Sequence, residues 1–480
     1  MKKISLKAIL IFICSLVLIF GMSNIFGVFA ATKTIYVAEV NSVQYQNYEE
    51  AWNAVKSGGE ITMLDNWTTS GVLTVEENTT VTVNMNGFMI NRGLNSSKGS
   101  GQVFLVKSNA VLSINGQKDS QTEHKGTIQS NVWHYNDNGI YTIKGALITG
   151  GYNSDGGGAI HIQKNAQVNI NNVTIAGNVS SDGNGAGAIR LQGDNSVLTI
   201  SDSEICYNKA TGGGGGAIRV EGVDANVQIL GTKINNNIVT KSDCDGGAIQ
   251  INNGTVSIAK SSYRISEISF NSTTRNGGAI YVSNGNLLLH ENTIIARNNA
   301  GKEGGAVYAD SGADVVNIKG IFAGNSAVEE GGAIYVNSII NGNRGVRISN
   351  AEFLGNSSGL HGGAIYVDKD DNIYLSGKVI TSGNTPNNLY IFKQESILSN
   401  DLTEGSRIGI KPDWDENDVR PIKTTNYRYF FCDNMEYEVV GTSDSFYFAK
   451  TEMGAPSCIT YGQNTYPVTK GTYTYYAVEG

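Results

Sequence analysis

One side chain in each of eight repeated strands of this sequence is of a type that could bind a ligand. Each follows a small residue and an aliphatic residue, and an aliphatic or small residue comes next. In chain order the eight are His161, Arg190, Arg219, Gln250, Tyr281, Tyr308, Tyr335 and Tyr366. Aromatic rings with polar tips suit sugars and peptides, and Tyr is favoured at binding surfaces. We name this set the outer ladder.

The outer ladder has two interpretations. In the first it is a shallow, exposed aromatic strip, with Arg190, Arg219 and the four tyrosines as candidate binding residues. In the second it only stabilises a sheet face, because aromatic neighbours on adjacent strands attract one another. The sequence leaves both open.

Carboxylates form a second recurring group, in the corners that precede the strands. They are Asp155, Asp182, Asp243, Asp245, Glu303, Glu329 and Glu330. Glycoside hydrolysis needs two carboxylates at a defined separation, whereas the offset of these residues differs between repeats. We therefore predict solvated loop carboxylates, no catalytic residue and no metal site. Calcium is the one cofactor left open, although the nonapeptide pattern of calcium β-rolls is missing.

The elements that carry these residues repeat along half of the chain. Eight Gly-Gly-Ala-Ile-like phrases recur at intervals of 27 to 31 residues. A period in this range is typical of a solenoid, in which stacked repeats share one core. The alanines are Ala159, Ala188, Ala217, Ala248, Ala279, Ala306, Ala333 and Ala364.

The residues after each alanine alternate with period two and are rich in β-branched types, which predicts strands. A second strand follows in each repeat. We therefore predict one coil of a parallel β-helix per repeat, with neighbouring coils about 4.8 Å apart. The predicted fold class is all-β, a right-handed parallel β-helix of the pectate-lyase-like kind. A short N-terminal helical cap, over Tyr48–Lys56, and a small C-terminal β module complete it. The fourth coil is longer than its neighbours.

An asparagine closes each repeat about 20 residues after the alanine. Asn is a common turn residue, and aligned Asn side chains support stacked β-structure. We predict a structural ladder, not a ligand site. Its members are Asn178, Asn208, Asn237, Asn271, Asn298, Asn325, Asn356 and Asn384.

The ends of the chain predict its compartment and domains. Residues 1–30 combine three lysines, a short apolar stretch and a small-residue cleavage site, as in a secretory signal peptide. We predict a cap with first coils over 31–145, the β-helix over 146–395 and a cap or β module over 396–480. No transmembrane segment is expected after cleavage. Cys432 and Cys458 could pair, whereas Cys206 and Cys244 are expected to be unpaired.

Charge limits the partners. Loss of the three signal lysines takes the formal charge from −8 to −11. An acidic chain without basic clusters disfavours nucleic acid and anionic membranes as partners. The expected partner is an extracellular glycan or a protein of a host or cell surface.

The paired phrases resemble a known repeat. Gly331-Gly332-Ala333-Ile334 with Phe353-Leu354-Gly355-Asn356 looks like the GGAI/FxxN repeat of the polymorphic outer membrane proteins of chlamydiae. That resemblance implies a right-handed β-helical passenger region acting in adhesion. Family members also carry a C-terminal β-barrel translocator, for which the chain after Asn384 is too short. We therefore expect secretion or surface association and not outer-membrane insertion.

Three functions follow from these observations. The first is a secreted or cell-surface adhesin or carbohydrate-binding protein without catalysis. The second is a polysaccharide lyase or glycoside hydrolase on a pectate-lyase-like β-helix. The third is a purely architectural spacer.

Overall fold

The structure is a computed structural model, and it describes most of the chain after the predicted signal peptide. The described residues are 35–337, 345–368, 373–392, 397–412, 422–424, 426–433, 437–441, 445–450, 458–460, 465–470 and 473–478. The predicted signal peptide, residues 1–30, lies outside them, as does the side chain of Cys458. Within the described residues no helix combines the length and the apolar composition that crossing a membrane requires.

The chain winds into a parallel β-solenoid of about 11 turns, which confirms the predicted all-β β-helix. The right-handed winding stays a prediction. Three sheets run along the solenoid and pair successive coils in parallel, whereas Ala38–Val40 at the N-terminal end pairs antiparallel with Val43–Tyr45 and Gly59–Met63. A single coil has no core of its own, and its two edges carry unpaired backbone groups. The coils before and after it cover these edges and complete the core.

The first sheet carries the outer ladder, and we name it the ladder sheet. Its strands are Leu73–Val75, Phe104–Val106, Ile160–Ile162, Ile189–Leu191, Ile218–Val220, Ile249–Ile251, Ile280–Val282, Val307–Ala309, Ile334–Val336, Ile365–Val367, Leu389–Ile391, Ile408–Pro412 and Phe430–Cys432. The parallel stack therefore extends on both sides of the predicted β-helix segment 146–395.

The second sheet, named the long sheet, receives two strands from most coils and one long bent strand from the later coils. Its strands are Ala38–Val40, Val43–Tyr45, Gly59–Met63, Trp67–Thr68, Thr80–Asn84, Met89–Asn91, Val111–Asn115, Ala146–Thr149, Gln167–Asn171, Val173–Ala176, Val197–Ser201, Glu204–Cys206, Asn226–Leu230, Lys233–Asn235, Thr255–Ala259, Glu267–Ser269, Asn286–Leu289, Ile294–Ala296, Val315–Ala323, Gly345–Leu354, Ile373–Ser382 and Ile397–Leu402. The residues between the two long-sheet strands of one coil form what we name the long-sheet corner.

The third sheet consists of two-residue strands, seven of which directly follow a ladder asparagine. They are Tyr152–Asn153, Val179–Ser180, Lys209–Ala210, Ile238–Val239, Ser272–Thr273, Asn299–Ala300, Ser326–Ala327 and Ser357–Ser358. Each pairs in parallel with the next coil.

Three smaller sheets and two short helices lie outside the parallel stack. Helix α1, Tyr48–Val55, is the predicted cap, and it buries Ala51, Trp52 and Val55. The only other helical turn in the described part of the chain is a 3-10 turn, Tyr427–Tyr429. The three-stranded sheets are Glu123–Gln129 with Val132–Tyr135 and Tyr141–Lys144; Ile422–Lys423 with Tyr437–Gly441 and Ser445–Lys450; and Cys458–Thr460 with Thr465–Lys470 and Tyr473–Val478.

The register of the ladder sheet places equivalent residues of successive coils side by side. Tyr281 pairs with Tyr308, and Tyr308 pairs with Tyr335. The aliphatic residues on either side of each outer-ladder residue point inward, so Ile280 and Val282 are completely buried. Aliphatic side chains therefore stack on their equivalents along the whole axis and form one continuous core.

The glycine pair before each strand has two distinct causes, seen clearly in Gly304 and Gly305. Gly304 adopts φ +64, a left-handed conformation that glycine enters without steric cost. A Cβ on Gly305 would lie 2.1 Å from the carbonyl oxygen of Gly332 in the next coil. The first glycine therefore turns the chain, and the second lets two coils approach.

The eight ladder asparagines form one hydrogen-bonded chain along the axis. Asn298 donates its backbone N–H and its Nδ2 to Oδ1 of Asn325, both at 3.0 Å. Its Nδ2 also donates to the carbonyl oxygen of Ile268 in the preceding coil, at 2.9 Å. The same pattern links each member to the next from Asn178 to Asn384.

The chain of asparagines ends on a carboxylate. Asn384 donates to Oδ1 of Asn388 at 2.7 Å, and Asn388 donates its backbone N–H and Nδ2 to the two oxygens of Asp433. Burial raises the pKa of Asp433, while these bonds from Asn388 oppose the rise. Asp433 accepts where the next asparagine would, so it satisfies the last donors of the ladder.

The ladder bonds predict a large loss of stability from Asn298→Ala. The substitution removes the acceptor of two Asn271 donors and leaves the Ile268 carbonyl without this donor. Because an unsatisfied buried polar group costs about 1–3 kcal/mol, we expect a loss of about 3 kcal/mol in the free energy of unfolding. Urea denaturation followed by circular dichroism measures it.

Asn284→Ala is the matched control, because Asn284 is exposed in a loop of the same coil. A surface change of this kind shifts stability by less than about 0.5 kcal/mol. Equal denaturation midpoints for the two variants would contradict a stabilising role of the asparagine chain.

Candidate functional site

The structure places the outer ladder in one column, as its register requires. The rings of Tyr281, Tyr308, Tyr335 and Tyr366 stack with centroids 4.9 to 5.3 Å apart and with planes within 18° of parallel. Tyr390 continues the stack, 5.4 Å from Tyr366. Sequence reasoning did not include Tyr390, because its coil lacks the Gly-Gly-Ala phrase.

The column is buried, so the predicted exposed strip is wrong. The exposed fractions of Tyr281, Tyr308, Tyr335 and Tyr366 are only 5 to 8%, and those of Arg190 and Arg219 are 5 and 7%. The physical reason is that the glycine-rich corner of each coil lies against the outer face of the ladder sheet. A Cβ on Gly214, for example, would lie 1.9 Å from Oε1 of Gln250.

Most polar tips of the outer ladder bond to the next coil. The acceptor or donor is the residue two positions after the equivalent ladder residue of that coil. Such pairs are His161 with Gln192, Arg190 with Glu221, Tyr281 with Asp310, Tyr308 with Asn337, and Tyr335 with Asp368. Sequence reasoning missed this partner column, although a polar residue after each ladder strand was its signal. The polar groups of the outer ladder are therefore mostly hydrogen-bonded to neighbouring coils.

The two arginines are held in ion pairs. Arg190 lies 2.8 Å from Oδ2 of Asp182 and 2.8 Å from Oε2 of Glu221. Arg219 lies 2.9 Å from the other oxygen of Glu221. Glu221 thus bridges two buried guanidinium groups, and neither arginine offers its charge to an external anion.

The corner carboxylates split into two kinds, and only some are simply solvated. Asp243 is exposed, as predicted, whereas Asp245 has an exposed fraction of 4%. Burial raises the pKa of Asp245 to about 6, although Arg275 at 3.1 Å opposes the rise. A buried carboxyl group of this kind was not expected from loop residues.

A cluster of three glutamates lies beside the tyrosine column. Carboxylate oxygens of Glu303, Glu329 and Glu330 lie within 4.8 Å of one another. Burial, followed by repulsion from Glu330 and Glu329, raises the pKa of Glu303 to about 7. Burial likewise raises the pKa of Glu330, with Glu329 adding to the rise. These are the carboxylates that the structure brings together.

The chemistry open to this cluster is proton exchange near neutral pH or the binding of a cation that prefers oxygen ligands. Three carboxylates alone do not select between these. Calcium, the cofactor that the sequence left open, therefore stays a prediction.

The fold and the ladders define a parallel β-helix whose coils are joined by side-chain columns. One family model matches within it, described as the Chlamydia polymorphic membrane protein repeat, at residues 319–337 and 350–368. The resemblance seen in the paired phrases is confirmed for these two segments. No curated protein and no solved structure matches the chain.

Burial of the column predicts that Tyr335→Ala is strongly destabilising. The change removes two stacking contacts and the bond from the Tyr335 hydroxyl to Asp368. Truncation of a buried aromatic side chain costs about 3–5 kcal/mol, and we expect a loss in that range by urea denaturation. Tyr335→Phe keeps the stack and is expected to lose about 1 kcal/mol.

Tyr263→Ala serves as the control, because 72% of Tyr263 is exposed. Its free energy of unfolding should change by less than about 0.5 kcal/mol. If Tyr335→Ala unfolds together with the wild type, the column is not the stabilising stack described here.

The raised pKa of Glu303 predicts a pH-dependent stability. The folded protein holds this proton more tightly than the unfolded chain, where the pKa is about 4.5. The contribution is therefore fully present below about pH 4.5 and is lost as the pH rises through about 7. We expect the denaturation midpoint of the wild type to fall between about pH 5 and about pH 8, and Glu303→Gln to reduce that fall.

Glu50→Gln, on the exposed side of helix α1, should leave the pH profile unchanged. A profile of Glu303→Gln that matches the wild type would contradict the assignment. Adding millimolar calcium chloride to the same denaturation experiments tests whether the glutamate cluster binds calcium. If the three glutamates bind it, the midpoint near about pH 8 rises in the wild type and not in Glu303→Gln.

Proposed function

We propose that this chain is a secreted or cell-surface bacterial β-helix protein that acts as an adhesin or carbohydrate-binding protein without catalysis. Its partner is an extracellular glycan or a protein of a host or cell surface. Nucleic acid is not the partner, because the mature chain is acidic. Residues 1–30 direct export of the polypeptide as a signal peptide and are then cleaved.

The observation that carries the proposal is the match of two segments, residues 319–337 and 350–368, to the Chlamydia polymorphic membrane protein repeat. The matched segments lie in the parallel stack and contain Phe322, Asn325, Phe353 and Asn356 of the core and the asparagine chain. The likeness therefore concerns the residues that make coils stack. It supports a surface protein built as a rigid rod.

The bonding of the coils removes the outer ladder as a surface for either binding or catalysis. Outer-ladder side chains are buried and bond to the next coil. A strip in that state presents neither a free nucleophile nor an open pair of carboxylates. Recognition then falls to segments that interrupt the repeat and project from the coils, in keeping with the general location of binding residues on loops carried by a rigid scaffold.

A second candidate is cleavage of a polysaccharide, and the glutamate cluster favours it. Retaining glycosidases place their two carboxyl groups about 5–5.5 Å apart, and one of them has a raised pKa. The oxygens of Glu303, Glu329 and Glu330 fall within 4.8 Å, and the pKa of Glu303 is about 7. In this alternative Glu303 is the general acid.

One experiment separates the two candidates. The mature protein is applied to a glycan array and to cultured host cells, and the same preparation is incubated with polysaccharides. Reducing ends and unsaturated products report cleavage. We expect saturable binding to glycan or cell surface and no product, because the repeated faces are bonded internally.

Product formation that Glu303→Gln abolishes would replace the binding proposal with the enzymatic one. Neither binding nor product would contradict both and favour an architectural spacer. Glu50→Gln is again the matched control for a charge change on the surface.

A further inference from the structure

Two interruptions of the repeat occur at the same place in the coil. The long-sheet corner between the strands Val111–Asn115 and Ala146–Thr149 is expanded to residues 116–145. The corner between Thr255–Ala259 and Glu267–Ser269 is expanded to residues 260–266. Between them the corners are short, as in Asn172 and in Asp202–Ser203. Both interruptions therefore project from one edge of the solenoid, four coils apart.

The first interruption is anchored rigidly. It forms the three-stranded sheet with Glu123–Gln129 at its centre. Trp133 of this sheet is 1% exposed and packs in a second hydrophobic cluster with Met89, Leu147 and Cys206 of the coils. The sheet is therefore fixed to the solenoid by a small core of its own.

The second interruption is a tight turn bound to the short corner two coils earlier. Oγ of Ser261 donates to Oδ1 of Asp202 at 2.6 Å and accepts the backbone N–H groups of Tyr263 and Arg264. Arg264 donates to the carbonyl oxygens of Gly231 and Ser203 at 2.9 and 3.0 Å. These bonds hold Tyr263 in place although 72% of it is exposed.

The two interruptions meet and border an open cleft of about 500 Å³. Nζ of Lys118 lies 3.8 Å from the ring centroid of Tyr263, which joins the walls. The lining also includes Asn172 and Asp202 of the short corners, Glu204 at the start of the strand that follows one of them, and Lys144 of the first interruption. Clefts that hold small ligands measure about 300–1,000 Å³, so this cleft is of sufficient size.

The lining has the chemistry of a sugar site. A sugar ring presents C–H groups on its faces and hydroxyl groups around its edge, so it pairs with a flat aromatic ring bordered by polar groups. Tyr263 supplies the ring: Lys118 covers one of its faces, and the 72% exposure of the residue leaves the other for a sugar. Lys144, Asn172 and Glu204 supply donors and acceptors. Three basic and three acidic residues line the cleft, which disfavours a strongly charged ligand such as a polyphosphate.

We propose that the cleft between the two interruptions binds an oligosaccharide, with one sugar ring stacked on Tyr263 and its hydroxyl groups bonded to Lys144 and Glu204. This inference rests on the proposed function and gives it a place on the molecule. It assigns recognition to the two segments where the repeat fails and leaves the coils as the scaffold.

The test measures binding of the full mature protein to defined oligosaccharides. The probes are neutral oligomers of galactose, mannose and N-acetylglucosamine, and oligomers of galacturonate, both on an array and by titration calorimetry. We expect Tyr263→Ala to weaken binding of the best probe at least about tenfold, as for a central aromatic contact. Tyr263→Phe should keep most of the affinity, because it keeps the stacking ring.

Tyr141→Ala is the matched control: Tyr141 is an exposed tyrosine of the first interruption that does not line the cleft. Its affinity should equal that of the wild type, and all three variants should keep the wild-type melting temperature. If Tyr263→Ala binds the probe as well as Tyr141→Ala does, the cleft is not the site, although the proposed function stands.

Two further outcomes separate the inference from the function. Binding to host cells that no oligosaccharide probe reproduces or competes would overturn the sugar site and leave an adhesin that recognises protein. Absence of binding to any probe and to cells would overturn both.

Discussion

The structure depends on one requirement: the hydrogen-bonding groups of every coil must find their partners in an adjacent coil. Backbone groups of the three sheets pair in parallel between coils, and the corner turns are too short to pair within one coil. The asparagine chain solves the same problem at the turn, because the Oδ1 of Asn325 accepts two donors of Asn298. Each link satisfies polar groups that would otherwise be buried without partners, which is costly. Removing one link therefore affects two coils, and stability is shared along the axis.

The same requirement shapes the outer face of the ladder sheet. Outer-ladder side chains are large and polar, and in an isolated coil they would face water. In the stack they pack on equivalent residues and bond to the next coil, as Tyr335 does with Asp368. Close approach of the glycine-rich corners completes their burial. The residues that looked most suited to bind a partner thus bind the neighbouring coil.

The fold could be predicted from the sequence because each coil of a β-helix requires the same residue types at the same positions. The alternation around Tyr281 and the closing asparagine recur in all eight repeats and the glycine pair in seven, so a chance pattern is excluded. Helix α1 was predicted for a similar reason, since Ala51, Trp52 and Val55 share one helical face. The exposure of the outer ladder was predicted wrongly. Alternation tells which side of a strand a residue occupies but not what covers that side.

The sequence by itself determined the solenoid, its strands and its column of asparagines, because these follow from local periodicity and from repetition. Only the tertiary structure decided which columns are buried, since burial depends on contacts between coils, such as the approach of Gly214 to Gln250 and the stacking of Tyr335 on Tyr308 and Tyr366. It also brought Lys118 to Tyr263, two residues far apart along the chain. Whether the two residues meet depends on how many coils separate the two interruptions and on how far each interruption extends. The interruptions do not repeat, so the sequence pattern does not predict how far they extend.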